Sequence, residues 1–323
     1  MGLRFLIVGT NFISDRFAEA VKATAGVEVA CVYSRTQERG SSFAKKHAIG
    51  KVYTDYSEAL ADSAVDAVYV ANPNFKHKES ALLAIDAKKH VLCEKIITEN
   101  LEDFRLLRER ARRQGVVLLE AMRPDFDPST QALRDALPLV GTVRRVDLEY
   151  CQYSSRYDAF LQGEVQNAFD PTIGNSSFAD IGIYPLHQLI ALFGEPKSVN
   201  ALGVSLENGF LGAGTLQADY TERGFFATVN FSKITQSERP SVIEGELGSL
   251  LIDKINATGE ILFIPRGGEA QTLYRDRIAN NMTFEVSAFR DMVKGTLSCE
   301  PYLSVTEQTM RIYDMAKNVL AHT

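Results

Sequence analysis

Short apolar runs alternate with amphipathic stretches through the first part of the chain. The apolar runs predict buried strands at Leu3–Val8, Val27–Tyr33, Asp66–Ala71, His90–Cys93 and Val116–Leu119. Apolar residues at three- and four-residue spacing predict helices between them, at Phe12–Thr24, Thr36–His47, His77–Lys88 and Leu101–Gln114. Strands that are apolar on both faces and separated by helices form parallel sheets covered on each side. This part therefore predicts a doubly wound α/β domain of the Rossmann type.

The alternation of strands and helices is lost after Pro128. Strand signals then follow one another at Val143–Tyr153, Ser198–Ser205, Thr215–Tyr220, Phe225–Phe231, Ser241–Glu246 and Ser249–Ile252. They predict an α+β domain with a large, mostly antiparallel sheet. Two amphipathic helices are predicted near the end, at 284–295 and Val305–Leu320. We expect residues 1–122 to bind a dinucleotide and residues 123–323 to serve substrate binding and oligomerisation.

Composition excludes several classes of function. A formal net charge of −6 and a pI near 5.5 argue against a nucleic-acid surface, which needs clustered basic residues. The one basic run, Arg105 to Arg113, ends a predicted helix and is interpreted as a solvated helix terminus. No apolar run reaches about 18 residues, so we expect no membrane span and a cytoplasmic location.

The four cysteines, Cys31, Cys93, Cys151 and Cys299, are widely spaced. They form none of the close pairs of a zinc site or a thiol–disulfide motif, so no metal is implied. Three of them lie in predicted strands, which favours buried free thiols in a reducing compartment.

The first strand-to-helix turn carries Gly9-Thr10-Asn11-Phe12-Ile13-Ser14. A dinucleotide fold places G-x-G-x-x-G there, so that backbone N–H groups meet the pyrophosphate at the helix N-terminus. Only the first glycine is present, but Asn11 can adopt a left-handed backbone and Ser14 is small enough for close packing. The segment fits either a plain turn or a phosphate cradle, and its position in the first βαβ unit favours a cradle of Gly9, Asn11, Phe12 and Ile13.

The end of the second predicted strand, Val32-Tyr33-Ser34-Arg35, indicates the type of cofactor. An acidic residue there would bond the adenosine ribose hydroxyls, and none is present. Ser34 and Arg35 can instead bond and neutralise a 2′-phosphate, which favours NADP(H) while leaving NAD(H) possible. The alternative is that Arg35 is merely exposed in a loop.

Three motifs carry a resemblance to a known family: Asn72-Pro73-Asn74 followed by His77, then Glu94-Lys95, and then Asp180 to His187. Together with the first turn they resemble the family of glucose-fructose oxidoreductase, inositol dehydrogenase and rhizopine catabolism proteins, the Gfo/Idh/MocA family of NAD(P)-dependent oxidoreductases. The resemblance runs essentially end to end. Within the family, the segments around Glu120 and Asp180 look most like the branch of dimeric dihydrodiol dehydrogenases and NADP-dependent aldose dehydrogenases.

The resemblance implies roles for the loops after the fourth and fifth predicted strands. Asn72, Pro73, Asn74 and His77 would pack beside the nicotinamide ribose, although His77 can equally be a helix residue that bonds backbone. The family shows E-K-P where this chain has Glu94-Lys95-Ile96. Lys95 would be the catalytic lysine and Glu94 would fix it or the ribose. Without the proline we expect a trans peptide before Ile96, which would shift the lysine.

The segment Asp180-Ile-Gly-Ile-Tyr184-Pro-Leu-His187 places three ionisable groups at helical spacing. By resemblance to the dihydrodiol dehydrogenase branch, Tyr184 is the proton acceptor and donor. Lys95 would stabilise its phenolate across a domain cleft, and Asp180 would orient the lysine or a substrate hydroxyl. The alternatives are a core tyrosine at Tyr184 and a helix cap at Asp180. His187 is expected to be a structural residue or to support the catalytic residues, and not to be the primary acid.

Departures from the family concern the substrate pocket. Relatives often have small glycines where this chain has Asn175-Ser176, and the branch's aromatic residue is absent near Arg123, which implies a reshaped pocket. Arg123 itself is expected to contact the substrate or to support a residue that does. We predict an NADP(H)-preferring dehydrogenase or reductase acting on a CH–OH or C=O group of a small polyol, sugar derivative or cyclic diol. The alternative is a catalytically weakened NAD(P)-binding sensor of the same fold. The family also implies a homo-oligomer formed through the C-terminal sheet, and its C-terminal helices can pack back toward the first domain.

Overall fold

The computed structural model describes residues 2–276 and 278–320, which form two compact units. The first unit runs to Phe126 and takes in Asn280–Ser304, and the second contains Asp127–Ala279 and the segment that starts at Val305. Among the described residues, no helix is both long enough and apolar enough to cross a bilayer.

The first unit contains the predicted doubly wound α/β fold. Its described strands are β1 (Leu3–Val8), β2 (Val27–Tyr33), β3 (Val52–Tyr53), β4 (Ala67–Val70), β5 (His90–Glu94) and β6 (Leu118–Ala121). All their pairings are parallel, in the order β3-β2-β1-β4-β5-β6. The helices between them are α1 (Phe12–Ala23), α2 (Gln37–His47), α3 (Tyr56–Ala61), α4 (His77–Asp86) and α5 (Leu101–Gln114). The prediction of a Rossmann-type sheet is confirmed.

Strand β6 begins at Leu118, two residues later than the sequence pattern predicts. Gly115 ends α5 in the left-handed conformation, with φ of 68°. The Val116 N–H then bonds back to the Ala111 carbonyl at 3.1 Å, so this apolar residue closes the helix and does not start the strand.

The second unit contains the predicted α+β fold. Its described strands are β7 (Val143–Cys151), β8 (Ser198–Ser205), β9 (Leu211–Tyr220), β10 (Phe225–Ser232), β11 (Ser241–Gly245), β12 (Gly248–Ile252), β13 (Glu260–Pro265) and β14 (Gln271–Arg275). They pair in the order β14-β13-β12-β11-β7-β10-β9-β8, and only β7 with β10 is parallel in this described sheet. Helices α6 (Pro128–Ala136), α7 (Tyr157–Leu161) and α8 (Ile183–Phe193) belong to this unit. Helix α9 (Met282–Val293) belongs to the first unit, and α10 (Glu300–Leu320) runs from Asn280–Ser304 of the first unit into the second. The mostly antiparallel sheet is confirmed.

Buried and exposed residues alternate along β10, and this alternation determines where Lys233 lies. Every second residue from Phe225 to Phe231 is buried, whereas Phe226 on the opposite face is 50% exposed. Lys233, directly after the strand, continues the inward register and is only 4% exposed. A lysine therefore occupies a position where the pattern calls for an apolar residue.

A carboxyl group is similarly buried in the first unit. Glu285 lies on the inner face of α9 beside Met282, Val286 and Phe289. Neither of its carboxylate oxygens has a hydrogen-bond partner among the described residues. Burial, and then the nearby Glu94 carboxyl, raises the pKa of Glu285 well above its usual value. The interior therefore favours Glu285 as a neutral carboxylic acid.

We expect Glu285→Gln to gain stability relative to the wild type as the pH rises. A carboxyl whose pKa is raised by folding takes up its proton on folding. Wild-type stability is therefore greatest below the unfolded pKa near 4.5 and falls as the pH rises toward the folded pKa. Glutamine needs no proton, so the free energies of unfolding should diverge by up to about 1.4 kcal/mol per pH unit within that window.

Urea denaturation between about pH 5 and pH 8 measures this divergence. The control is Glu19→Gln, which changes an exposed glutamate of α1 in the same unit. Its curve should run parallel to that of the wild type. A parallel curve for Glu285→Gln would contradict the neutral buried carboxyl.

Candidate functional site

The turn between β1 and α1 requires glycine at its first position. Gly9 has φ of +106°, and a Cβ atom there would lie 2.7 Å from the Ala71 carbonyl oxygen. Asn11 does not use the left-handed backbone that an asparagine allows, because it is extended with φ of −92° and caps α1. Its Oδ1 accepts from the Ser14 N–H at 3.1 Å, and its Nδ2 donates to the Ala71 carbonyl at 2.8 Å. Asn11 thereby ties this turn to the end of β4.

The N-terminus of α1 fits the pyrophosphate of a dinucleotide. Phe12 and Ile13 form the first turn of the helix, where N–H groups have no acceptor within the helix. Phe12 is 72% exposed and Ser14 is fully buried, so the helix start faces solvent and its next turn packs closely on the sheet. The positive end of the helix dipole and the Gly9 turn suit an anionic group here. Contact of these residues with a cofactor remains a prediction.

The two residues predicted to bind a 2′-phosphate directly follow β2, and they differ in exposure to solvent. Ser34 is buried, and its N–H donates to the Tyr53 carbonyl at 3.0 Å. Arg35 is exposed beside the start of α2, which Thr36 caps through the Arg39 N–H at 3.4 Å. Arg39 is also exposed and brings a second guanidinium to this helix start, a feature that sequence reasoning missed.

His77 joins the loops that follow β4 and β5. Its Nε2 lies 2.8 Å from the Asn72 carbonyl oxygen and its Nδ1 lies 2.8 Å from the Ile96 carbonyl oxygen. Burial lowers the pKa of His77. The backbone-bonding alternative is therefore observed, and a direct cofactor contact of His77 stays a prediction.

Asn72 is held from the opposite side by Ser80. Its Nδ2 donates to Ser80 Oγ at 2.7 Å, while its Oδ1 is buried without a partner among the described residues. Pro73 and Asn74 lead from it into the single turn Asn74–Lys76. A buried acceptor with unused capacity beside this loop suits a hydroxyl donor such as a ribose.

The expectation of a trans peptide before Ile96 is wrong, since the Lys95–Ile96 bond is cis. Contacts hold the segment on both sides of the bond. The Ile96 carbonyl meets His77, and the Ile97 N–H donates to Glu120 Oε1 at 3.0 Å. Ile96 and Ile97 are buried while Lys95 is only half-buried.

Glu94, which directly precedes Lys95 in the chain, is buried. The Tyr69 hydroxyl donates to Glu94 Oε1 at 2.5 Å. Burial raises the pKa of Glu94, although Tyr69, Lys95 and Arg123 oppose the shift. Arg123 is itself buried and donates from Nη1 to Asn281 Oδ1 at 3.2 Å. The structure thus places Arg123 in the first unit near Glu94, and its predicted contact with substrate remains a prediction.

Asp180 lies in a π-helical turn, Phe178–Gly182, that leads into α8. Such turns are rare and occur often at functional sites. No side-chain cap bond is present at the start of either helix, so Asp180 is not the simple helix cap of the alternative interpretation. Its Oδ2 instead lies 2.8 Å from Lys233 Nζ, and sequence reasoning missed this lysine.

Tyr184 and His187 follow Asp180 on α8. Tyr184 is 6% exposed and packs edge-on against Tyr150, with ring centroids 5.9 Å apart. His187 is fully enclosed, and its Nδ1 lies 3.4 Å from Thr309 Oγ1. The second unit therefore places Asp180 at a more exposed position than Tyr184, with His187 deeper in the interior.

Asn175 and Ser176, which the resemblance marks as departures from the family, hold the segment before Asp180. Asn175 Nδ2 donates to the Asn167 carbonyl at 3.2 Å. Ser176 Oγ accepts from the Ala179 N–H at 3.0 Å. These two hydrogen bonds hold the chain directly before the π-helical turn.

A cavity beside the basic run of α5 is lined by none of the predicted site residues. Arg105, Arg108 and Arg112 line a cavity of about 320 Å³ together with Cys299 and Leu303. Arg108 pairs with Glu300 at 2.6 Å and Arg112 pairs with Glu109 at 2.9 Å. These ion pairs agree with a solvated helix terminus.

Two family models match this chain. The oxidoreductase family model with an NAD-binding Rossmann fold, GFO_IDH_MocA, matches residues 3–122. The GFO/IDH/MocA C-terminal domain model matches residues 138–251.

Individual proteins resemble the chain over most of its length. It is 41% identical over 292 residues to scyllo-inositol 2-dehydrogenase (NADP(+)) IolU of Bacillus subtilis, covering 90% of this chain and 88% of that protein. It is 30% identical over 322 residues to trans-1,2-dihydrobenzene-1,2-diol dehydrogenase of Mus musculus, covering 96% and 94%. The crystal structure of KijD10, a 3-ketoreductase from Actinomadura kijaniata in complex with NADP and TDP-benzene, has a TM-score of 0.88 at 21% identity, covering 99% and 98%, and shows the same fold.

Proposed function

The chain belongs to the Gfo/Idh/MocA family of NAD(P)-dependent oxidoreductases, and we propose that it is an NADP-preferring dehydrogenase of cyclic polyols. The similarity to an NADP-dependent scyllo-inositol dehydrogenase carries this proposal. The Bacillus subtilis and Mus musculus relatives are both dehydrogenases, which favours an enzyme over a cofactor-binding sensor. When bound, the nicotinamide supplies the hydride chemistry, and the chain's residues position the substrate and move its proton.

We assign the proton transfer to Tyr184. Its hydroxyl would exchange a proton with the substrate oxygen, as positioned side chains do in general acid–base catalysis. Lys95 would supply the ammonium that stabilises a phenolate. Asp180, which pairs with Lys233 in its own unit, would orient a substrate hydroxyl. The exposed fraction of the Asp180 side chain, 37%, supports that role.

Replacing Tyr184 with Phe should lower kcat by about 10²- to 10⁴-fold with scyllo-inositol and NADP⁺, because the proton acceptor is lost. The Kd for NADP⁺ should stay the same, since the residues proposed to hold the cofactor lie in the first unit. Steady-state kinetics and fluorescence titration measure the two quantities.

The matched control is Tyr220→Phe, which removes another buried tyrosine hydroxyl, one that donates to the Gly194 carbonyl at 2.6 Å. It should cost about 1 kcal/mol of stability while leaving kcat unchanged. Equal losses of kcat in both variants would mean that Tyr184 acts only through packing.

NADP(H) is proposed to bind at the starts of two helices, α1 and α2. The Gly9 turn and the N-terminus of α1 would hold the pyrophosphate, and Ser34 and Arg35 would hold the 2′-phosphate. Asn72, Pro73, Asn74 and Glu94 would meet the nicotinamide ribose. The exposed guanidinium of Arg35 and the absence of an acidic residue at Val32–Arg35 support NADP over NAD.

Arg35→Ala should weaken NADP⁺ binding by roughly 10- to 100-fold and change NAD⁺ binding little, because one charge-assisted contact to the 2′-phosphate is lost. Calorimetric titration with both cofactors measures the ratio. Arg134→Ala removes an exposed arginine of α6 and controls for the change in net charge. A similar loss for NADP⁺ and NAD⁺ on Arg35→Ala would argue against a 2′-phosphate contact.

The open face of the second unit's sheet supports a homo-oligomer. Leu202, Val204 and Phe226 are 62%, 56% and 50% exposed, and the strand register places them on one face. Leu202 and Val204 are neighbours on β8, whereas Phe226 lies further along the face, level with Ser198. Apolar side chains exposed on one sheet face favour a protein interface. We propose that two copies associate through this face. A cytoplasmic location is also proposed, and the four free cysteines suit its reducing conditions.

A further inference from the structure

Lys233 is a buried cation with a complete set of partners. Its Nζ lies 2.8 Å from Asp180 Oδ2 and donates to the Ala168 carbonyl at 2.8 Å. The rings of Phe169 and Phe210 lie on its other sides, with centroids 5.0 and 5.4 Å from Nζ. A buried ammonium is costly unless it is paired and hydrogen-bonded, and these contacts provide both.

The ion pair is asymmetric in its exposure to solvent. The Lys233 side chain is 5% exposed and the Asp180 side chain is 37% exposed. The cation therefore lies behind the carboxylate, which faces outward. Stability alone does not explain this arrangement, because an apolar side chain at an inward strand position packs at least as well as a buried ion pair. Functional sites need polar groups that surrounding residues hold in one orientation. A carboxylate that faces outward and is paired with a buried lysine meets this need.

The backbone of Lys233 is held by hydrogen bonds, and its ammonium is held by Asp180 and the Ala168 carbonyl. The Lys233 N–H donates to the Gly212 carbonyl at 2.9 Å, and its carbonyl accepts from the Ser154 N–H at 2.9 Å. Two residues earlier on the same strand face, Phe231 packs on the π-helical turn. A Cβ atom at Gly182 would lie 2.8 Å from the Phe231 ring. One face of β10 thus fixes both the backbone of the turn and the carboxylate it carries.

We propose that Lys233 is a positioning residue for the dehydrogenase reaction. It holds the Asp180 carboxylate in one orientation, four residues before Tyr184, so that a substrate hydroxyl is bound in the geometry needed for proton transfer to Tyr184. The proposal rests on the proposed function. It adds a residue that touches neither cofactor nor substrate and acts only through Asp180.

A double-mutant cycle tests this role. Lys233→Met keeps the length of the side chain and removes its charge, and it leaves an Asp180 that water can solvate. We expect it to lower kcat by up to about 100-fold, because small misplacements of a positioning group have effects of that size. Lys233→Arg should recover part of the loss. In an Asp180→Asn background, Lys233→Met should cause little further loss, within about twofold.

Two further measurements separate a positioning role from a structural one. The Kd for NADP⁺ should be the same in all variants. Lys197→Met, which breaks an exposed lysine pair with Glu222 in the same unit, should leave kcat unchanged. If Lys233→Met does not fold, Lys233→Arg carries the same cycle, since it moves the charge while keeping it.

Additive losses from Asp180→Asn and Lys233→Met would overturn the proposal, because Lys233 would then act independently of Asp180. Unchanged kcat in Lys233→Met with a lowered melting temperature would also overturn it. An inactive wild type would instead refute the proposed function. Wild-type turnover together with additive losses would refute only the role of Lys233.

Discussion

The interior of each unit is organised by the constraint that a buried charge must be paired, hydrogen-bonded or neutralised. In the first unit, Glu94 accepts the short Tyr69 hydrogen bond, and Glu285 is favoured in its neutral form. In the second unit, Lys233 is buried against Asp180. Glu94 directly precedes Lys95, and Asp180 lies four residues before Tyr184, so two of these buried or paired groups are close in sequence to proposed catalytic residues. We therefore propose that ionisable groups of the interior position the predicted catalytic residues.

Most of the fold follows from hydrophobic periodicity. The strands β1, β2 and β8 have the predicted bounds, because their apolar runs end at residues that turn or cap. The pattern failed where an apolar residue served another purpose, as Val116 does in closing α5. It also missed β13 and β14, which form an edge hairpin whose last strand is mostly exposed and carries a weak apolar signal. Edge strands need little burial, so their sequences are weakly constrained.

The site was less predictable than the fold, since its parts come from distant segments. The resemblance predicted roles for Lys95, Asp180 and Tyr184, but it could not give their partners. Lys233 and Glu285 did leave a signal, because each places a charge at an apolar position of a periodic pattern: the inward register of β10 and the buried face of α9. A charge on the buried side of a regular pattern is informative in sequence alone. The capping role of Asn11 and the carbonyl contacts of His77 depend on neighbouring loops that periodicity does not specify.

The central claim is that this protein moves hydride between a ring carbon of a cyclic polyol and the nicotinamide. Deuterium transfer tests it most directly: purified protein is incubated with NADP⁺ and scyllo-inositol carrying deuterium on its ring carbons, and the cofactor is examined by NMR. The account predicts deuterium at nicotinamide C4, on one face only, because a protein-held cofactor receives hydride from a fixed direction. Reduced cofactor without deuterium, or no transfer from any labelled cyclic polyol, would contradict it.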